Sequence, residues 1–219
     1  MDKLKERILA YLEDNSQRFI ALGNKLFHTP ELGFREYETS KIVHQFLNQL
    51  GLKTEEHAIT GVKSYLPGRN SLASVGVLGE LDAIYCPQHP AAHKETGAAH
   101  SCGHHMQLVA MLVAAEALVK TGASQELDGD VVLLAVPAEE HLEFSYRKYL
   151  LDSGQVQYTS GKQEMLKLGS FKDVDMILAT HALTRNNKQQ AQAILCISCN
   201  GFEINRFKFI GKGGHAGLN

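Results

Sequence analysis

The sequence predicts an α/β protein in which helices cover a layered, mostly parallel sheet. Three short segments rich in apolar and β-branched residues have the length and composition of buried strands: residues 73–81, 130–136 and 174–179. Helical patterns lie before and between them. Apolar positions recur every three to four residues in 3–27 and 36–50, and residues 106–120 are apolar on almost every side. Such alternation favours a parallel sheet, which binds ligands beyond the carboxyl ends of its strands.

Composition restricts the class of function. The chain has 219 residues, 44% of them hydrophobic and 21% charged, with a formal net charge of -2. This near-neutral balance argues against a nucleic-acid or membrane-surface partner. The chain shows no signal-peptide pattern and no apolar run of membrane-spanning length. Four cysteines without such a signal indicate reduced thiols and a cytoplasmic location.

The segment from His100 to His105 places one thiol and three imidazoles within six residues. Cys102 and His104 are two apart, a spacing that would separate them on a helix, so we predict a loop leading into a helix that begins near Met106. Thiolate and imidazole ligands suit zinc. A cysteine and a histidine at this spacing are, taken alone, more often a buried thiol beside a surface imidazole.

The strand ends supply further polar side chains of suitable chemistry. Asp82 follows the first predicted strand, Glu139 and Glu140 follow the second, and His181 follows the third. Cys102 and His104 precede the buried helix, which places them at the same edge of the sheet. We therefore expect these six residues to converge on one rim.

The rim residues can take different chemical roles. One of the paired carboxylates Glu139 and Glu140 can bind a metal while its neighbour transfers protons. Asp82 is expected to orient a ligand rather than to bind the metal itself. The sequence leaves the roles of His100, His105 and His141 open.

The character of the chain changes after residue 190. Two predicted strands, 190–199 and 201–210, are joined by a tight turn at Asn200-Gly201, and a glycine-rich turn follows at 211–217. We place a domain boundary near residue 195, so that residues 1–195 form the first domain and 196–219 begin a second. Cys196 and Cys199 are expected to be ordinary strand cysteines, because residues three apart on a strand face opposite sides.

Six motifs carry a resemblance to one family: His28 to Thr39, Gly79 to Ala83, His100 to His104, Pro137 to Glu140, Thr180-His181 and Gly211 to Ala216. In this order the chain resembles the metal-dependent amidohydrolases that include hippurate hydrolase, indole-acetyl-amino-acid hydrolase and p-aminobenzoyl-glutamate hydrolase. The resemblance implies a zinc-peptidase-like catalytic domain. It also implies that the second domain is the start of an inserted α+β lid and dimerisation domain.

The resemblance also implies residue roles. Cys102, His104, Glu140 and His181 would be ligands of two divalent metal ions (zinc, manganese, nickel or cobalt), with Cys102 bridging them. Glu139 would be the general base that activates water for attack on an amide bond. His215 would stabilise the tetrahedral oxyanion. The family usually has Asp or Asn at position 105, so His105 is expected to change the surroundings of the ligands.

The function implied is hydrolysis of an N-acyl amino acid or a dipeptide-like substrate by an aminoacylase or metallopeptidase that forms a homodimer at full length. The family's chain continues through the lid to a final histidine ligand, so this chain resembles the N-terminal portion of such an enzyme. We therefore expect residues 1–219 alone to be a poor hydrolase. The alternative is a non-catalytic remnant or metal-binding protein of the same fold.

Overall fold

A computed structural model describes residues 2–182 and the isolated residues 205, 207, 210 and 211. The chain divides into two compact units, Met1–Leu183 and Thr184–Asn219. Every described helix and strand belongs to the first unit. The second unit contains the boundary predicted near residue 195 and the predicted strands 190–199 and 201–210. It also contains Cys196, Cys199 and His215. Apart from the four isolated positions, these residues lie outside the part of the chain that the structure describes.

The described elements alternate between helices and strands. The helices are α1 (Asp2–Asp14), α2 (Ser16–Phe27), α3 (Tyr37–Gln49), α4 (His104–Lys120), α5 (Phe144–Asp152) and α6 (Gly161–Lys167), with a 3₁₀ turn at Ala123–Glu126. The strands are β1 (Thr54–His57), β2 (Gly61–Leu66), β3 (Ser74–Glu80), β4 (Ile84–Tyr85), β5 (Ala98–Ala99), β6 (Asp130–Val136) and β7 (Met176–Ala179). None of the described helices is long and apolar enough to cross a membrane.

Five strands form one sheet in the order β1-β2-β6-β3-β7. Strands β6, β3 and β7 are parallel, and β2 and β1 extend the sheet on one side with antiparallel pairing. The α/β class and the parallel strands at the centre are confirmed. The antiparallel pair comes from the polar region between residues 52 and 72, where Ala58 and Ile59 turn the chain with positive φ angles.

Side chains of β6 alternate between two apolar layers, as the two-residue period of a strand requires. Leu133 and Ala135 pack with Leu108 and Leu112 of α4 and with residues of α2 and α3. Val132, Leu134 and Val136 pack on the opposite face with a cluster that includes Leu150 of α5 and Met165 of α6. Because both faces of β3 and β6 are covered, these two strands read as continuous apolar runs in the sequence.

The three predicted core strands are confirmed within one or two residues, and the helix predicted at 36–50 is confirmed as α3. The helix predicted over 3–27 is wrong as a single element, because α1 ends at Asp14 and α2 begins at Ser16. Asn15, between them, donates its side-chain amide to the Tyr11 carbonyl oxygen at 2.9 Å, which competes with regular helical bonding. Residues 84–99 form a long connection that contains the short antiparallel pair β4–β5.

Glu36 joins the first motif to the end of β6. Its side chain is fully buried, and its two oxygens accept hydrogen bonds from the Ala138 N–H at 2.7 Å and the Thr60 hydroxyl at 2.6 Å. Burial, with help from the nearby Asp82 charge, raises the pKa of Glu36 to about 8. The carboxyl group therefore holds its proton in the folded protein at neutral pH.

Glu36→Gln is expected to reduce the loss of stability at rising pH. The pKa of Glu36 is about 8 in the folded protein and has its ordinary value of 4.5 in the unfolded chain. Between these two pH values the folded state binds one proton more than the unfolded state. The free energy of unfolding therefore falls as the pH rises. The free energy of unfolding falls by about 1.4 kcal/mol for each pH unit across this window. Glutamine keeps both hydrogen bonds, because its oxygen can accept from Ala138 and its amide can donate to Thr60.

Urea unfolding at about pH 5 and about pH 8 measures this difference. Glu38→Gln, two residues further on and at an exposed position in the first turn of α3, is the matched control. A Glu36→Gln variant whose stability fell with pH as steeply as the wild type would contradict the assignment.

Candidate metal centre

The parallel strands end at a common rim, and their ends carry acidic side chains and one histidine. Glu80 is the last residue of β3 and pairs in register with Val136, the last residue of β6. Asp82 follows two residues after Glu80, and Glu139 and Glu140 follow three and four residues after Val136. His181 follows the end of β7. The topology of the sheet therefore brings together the strand-end residues predicted from sequence.

His104 occupies the middle of this rim. It is the first residue of α4, so the prediction that it lies in a loop is wrong; the loop ends at Gly103. Gly103 has a φ of +94°, a conformation that favours glycine, and it turns the chain directly into the helix. The His104 side chain is fully buried, and its Nδ1 lies 2.8 Å from the Asp82 carbonyl oxygen. Donation from Nδ1 leaves Nε2 directed toward the carboxylates.

Cys102, His104 and His181 form one group of potential metal ligands. One ligand atom from each lies within 4.8 Å of the others. The Cys102 Sγ is 3.5 Å from His181 Nε2, and the His181 ring is held by a 2.7 Å contact between Nδ1 and the Ala182 carbonyl oxygen. The three predicted ligands therefore meet in space.

Glu80, His104 and Glu139 form a second group within the same limit. His104 Nε2 is 3.0 Å from Glu80 Oε2 and 3.9 Å from Glu139 Oε2. Glu140 belongs to neither group, although its Oε1 lies 3.9 Å from His104 Nε2. The groups share His104, whereas the resemblance implied that Cys102 is the shared ligand.

Carboxylates dominate the electrostatics of the rim. Burial lowers the pKa of His104, but hydrogen bonding to Asp82 and the charges of Asp82 and Glu80 outweigh it and raise the pKa to about 9. Burial, and then the nearby Glu140, raise the pKa of the Cys102 thiol to about 12. The thiol must lose this proton to bind a metal, so metal binding would release protons.

Three buried polar atoms at this rim make no hydrogen bond of regular geometry: Glu80 Oε2, Asp82 Oδ1 and His104 Nε2. Each still has a close ionic neighbour, since Glu80 Oε2 is 3.0 Å from His104 Nε2 and Asp82 Oδ1 is 3.2 Å from His104 Nδ1. Buried polar atoms are nearly always satisfied, and unsatisfied ones clustered in this way are typical of an ion-binding site. Sulfur, imidazole nitrogen and carboxylate oxygen together suit zinc and other divalent transition metals. The residues present therefore fit a bound divalent cation.

Asp82 and Arg147 fix the segment that carries the paired glutamates. Asp82 Oδ2 accepts a 2.9 Å hydrogen bond from the Glu140 N–H. Arg147 of α5, which is buried, donates to the carbonyl oxygens of Ala138, Thr159 and Glu140. Ala138 has a φ of +49°, a strained conformation for a residue with a side chain. This strain persists because the backbone on both sides is held.

Sequence reasoning missed Glu80, Arg147 and Lys162. Glu80 carried a signal, because it precedes Asp82 by two residues and therefore projects from the strand in the same direction. Lys162 Nζ lies 2.5 Å from Glu80 Oε1 and 3.1 Å from Glu139 Oε1. Burial lowers the pKa of Lys162, but the two carboxylates outweigh burial and raise this pKa above its ordinary value. The ammonium is therefore charged. Nothing in the sequence predicted that α6 would reach the rim.

His100 and His105 lie beside the ligand groups and belong to neither of them. The His105 ring packs against Phe27 and His100, with centroids 5.2 Å and 5.1 Å away. His100 is buried, and burial, with the neighbouring His105 and His104, lowers its pKa to about 4. Both residues belong to an aromatic cluster behind the start of α4.

A layered α/β fold with cysteine, histidine and carboxylate donors at the carboxyl ends of its strands is of the kind found among metal-dependent hydrolases. The sequence profile of Peptidase family M20/M25/M40 matches residues 76–206, which is more than half of the chain. The chain belongs to this family, and the resemblance inferred from its motifs is confirmed.

Individual relatives agree with this assignment. An IAA-amino acid hydrolase of Arabidopsis thaliana (ILR1-like 2) is 30% identical over 203 residues, covering 91% of this chain and 42% of the relative. The hippurate hydrolase of Campylobacter jejuni is 28% identical over 211 residues, covering 92% and 49%. The chain thus spans somewhat less than half the length of these curated relatives.

One crystal structure supports the fold. The YXEP protein of Bacillus subtilis, described as a dinuclear metal binding peptidase from the M20 family, has a TM-score of 0.60 at 24% identity. The match covers 75% of this chain and 42% of that one. At this identity the likeness establishes the shared fold.

Cys102→Ser is expected to weaken binding of a divalent cation by about tenfold or more, because a thiolate ligand is replaced by a poorly ionised hydroxyl. Isothermal titration with Zn²⁺ measures the affinity, and Co²⁺ titration reports directly on sulfur ligation through thiolate-to-metal absorption. Cys86→Ser is the matched control, because Cys86 is the other free cysteine among the described residues and is in neither ligand group.

Loss of the cobalt–thiolate absorption in Cys102→Ser and its retention in Cys86→Ser is the expected pair of results. Unchanged absorption in Cys102→Ser would remove Cys102 from the centre.

Proposed function

We propose that this protein is a metal-dependent hydrolase that cleaves the amide bond of an N-acyl amino acid or peptide-like substrate. The observation that carries the proposal is the meeting of Cys102, His104 and His181 beside the paired glutamates that follow β6. Membership of the M20 family supports it, as do relatives named for hydrolysis of hippurate and IAA-amino acids.

Cys102, His104, Glu140 and His181 are the proposed ligands of two divalent metal ions. Such ions, when bound, lower the pKa of water and polarise the amide carbonyl. Zinc, manganese, nickel and cobalt all accept this set of donors. Asp82 holds His104 through Nδ1 and Glu140 through its N–H, so it orients two ligands without needing to bind an ion.

Glu139 is the proposed general base. Its side chain is partly exposed, and its Oε2 lies 3.9 Å from His104 Nε2, the same distance as Oε1 of the proposed ligand Glu140. From there it can accept a proton from the attacking water and return it to the leaving amine. The strained Ala138 and the buried Arg147 fix its backbone, so the carboxylate needs little reorganisation to act.

Other parts of the proposal concern the whole protein. His215 is proposed to stabilise the tetrahedral oxyanion, and His105 to influence metal preference from its place next to His104. The free thiols of Cys86 and Cys102 support a reducing, cytoplasmic location. A homodimer is proposed by analogy with the family, with a small N-acyl amino acid as substrate and neither nucleic acid nor membrane as partner.

The second candidate function is a metal-binding protein of the same fold without catalytic activity. The observation that favours it is that Glu139 Oε2, rather than Glu140, groups with Glu80 and His104 at ligand distance. A glutamate committed to a metal cannot serve as the base. The two candidates therefore differ in what Glu139 does.

Glu139→Gln separates them. If Glu139 is the base, the variant keeps its metal and loses turnover on the order of 100-fold or more, because an acid–base group is removed while the ligands remain. Metal content by mass spectrometry of metals and hydrolysis of an N-acyl amino acid panel are the measurements. Glu38→Gln, an exposed glutamate on α3, is the control.

Loss of metal in Glu139→Gln would make Glu139 a ligand and overturn its role as base. Metal binding by the wild type without hydrolysis of any member of the panel would favour the metal-binding alternative.

A further inference from the structure

The two glutamates near His104 are oriented in the same way by one lysine. Lys162 Nζ contacts the Oε1 atoms of Glu80 and Glu139, at 2.5 Å and 3.1 Å. The Oε2 atoms of the same two residues face His104 Nε2, at 3.0 Å and 3.9 Å. Each carboxylate therefore has one oxygen on the ammonium and the other toward the proposed metal ligands.

The position of Lys162 is built into the fold. It is the second residue of α6, and the preceding Gly161 lies so close to the end of β6 that a Cβ atom there would be 1.8 Å from the Pro137 carbonyl oxygen. The Gly161 N–H also donates to the Ala138 carbonyl oxygen at 3.2 Å. The helix start is thus fixed on the segment that carries Glu139, and the lysine side chain needs only to extend across it.

A fixed ammonium has two consequences for Glu139. A carboxylate that keeps one oxygen on Lys162 cannot bind a cation through both oxygens. The positive charge also repels a divalent cation that approaches the same carboxylate. Glu80 experiences the same two effects, and its side chain is only 5% exposed, which strengthens them.

We propose that Lys162 is a positioning residue that prevents Glu139 from binding the metal through both oxygens and so keeps its second oxygen available as a base. The role of Glu139 as a base rests on the proposed function; the opposition between Lys162 and a bound cation does not. The lysine acts through Glu139 and Glu80 and need not touch the substrate.

Lys162→Met tests the proposal, because it keeps an unbranched four-atom stem and removes the charged ammonium. The expected result is divalent cation binding about tenfold tighter by isothermal titration with Zn²⁺, since two carboxylates lose their counter-charge. Turnover is expected to fall about tenfold or more through kcat, with KM nearly unchanged, because Glu139 becomes a ligand.

Lys162→Arg should restore both values toward the wild type, because a guanidinium keeps the charge and can donate to both carboxylates. Lys167→Met, at an exposed position in the last turn of the same helix, is the matched control and should change neither. Urea unfolding of each variant measures any general loss of stability, which would not by itself tighten metal binding.

Three outcomes would overturn the proposal. Zn²⁺ affinity that is unchanged or weaker in Lys162→Met would mean that the lysine does not oppose a cation. An increase in KM with kcat retained would make Lys162 a contact for the substrate carboxylate. Failure of Lys162→Arg to restore the affinity would mean that the charge is not the cause. If the wild type proves to hydrolyse nothing, the Zn²⁺ affinities of the variants still test whether Lys162 opposes a bound cation. Failure of the proposed function can therefore be distinguished from failure of this proposal.

Discussion

The arrangement of the rim depends on Asp82. This fully buried residue contacts two other segments of the chain: its carbonyl oxygen accepts from His104 at the start of α4, and its carboxylate accepts from the Glu140 N–H after β6. Its own position follows from β3, the middle one of the three parallel strands, which ends two residues earlier. One residue therefore sets the relative positions of a strand end, a helix start and the segment of paired glutamates. Without these bonds the donors would still share an edge, but their spacing would not be fixed.

The segment of Glu139 and Glu140 has a second support on the opposite side. Glu36 accepts from the Ala138 N–H while Arg147 donates to the Ala138 carbonyl oxygen, so the peptide groups flanking a strained residue are both held. Glu36 avoids a buried charge by keeping a proton while its oxygens accept hydrogen bonds, and Arg147 satisfies its buried charge with carbonyl oxygens. Both are polar groups in a largely apolar layer, and both act on the backbone. Together they fix the backbone position of residues 138–140, which neither α5 nor β6 could fix alone.

The strands β3 and β6 could be predicted well from sequence because they are buried on both faces of the sheet. A strand buried on both faces reads as an apolar run, and the polar residue that follows it marks the rim, which is the signal carried by Asp82, Glu139 and Glu140. The predicted start of α4 is wrong because spacing rules assume that Cys102 and His104 share one element, whereas Gly103 separates loop from helix. Lys162 was beyond prediction for a different reason. It comes from the polar region 141–172, whose pattern has no clear period, and it reaches the rim only because Gly161 permits a close approach to Pro137.

Unsatisfied atoms occur where the proposed chemistry would take place. Glu80 Oε2, Asp82 Oδ1 and His104 Nε2 make no regular hydrogen bond, and a buried polar group left unpaired costs about 1–3 kcal/mol, which their ion pairs with one another offset in part. The supports around them, Glu36 and Arg147, have their hydrogen bonds filled. Positive charge from His104 and Lys162 offsets part of the repulsion among the carboxylates, and a bound cation would offset it further. Since a cation binds the folded state and not the unfolded one, it would also stabilise the fold. At the rim this cost falls on atoms that a metal would satisfy, while the surrounding network keeps them in place. The buried nitrogens of His100 and His105 that also lack hydrogen bonds belong to the neighbouring aromatic cluster.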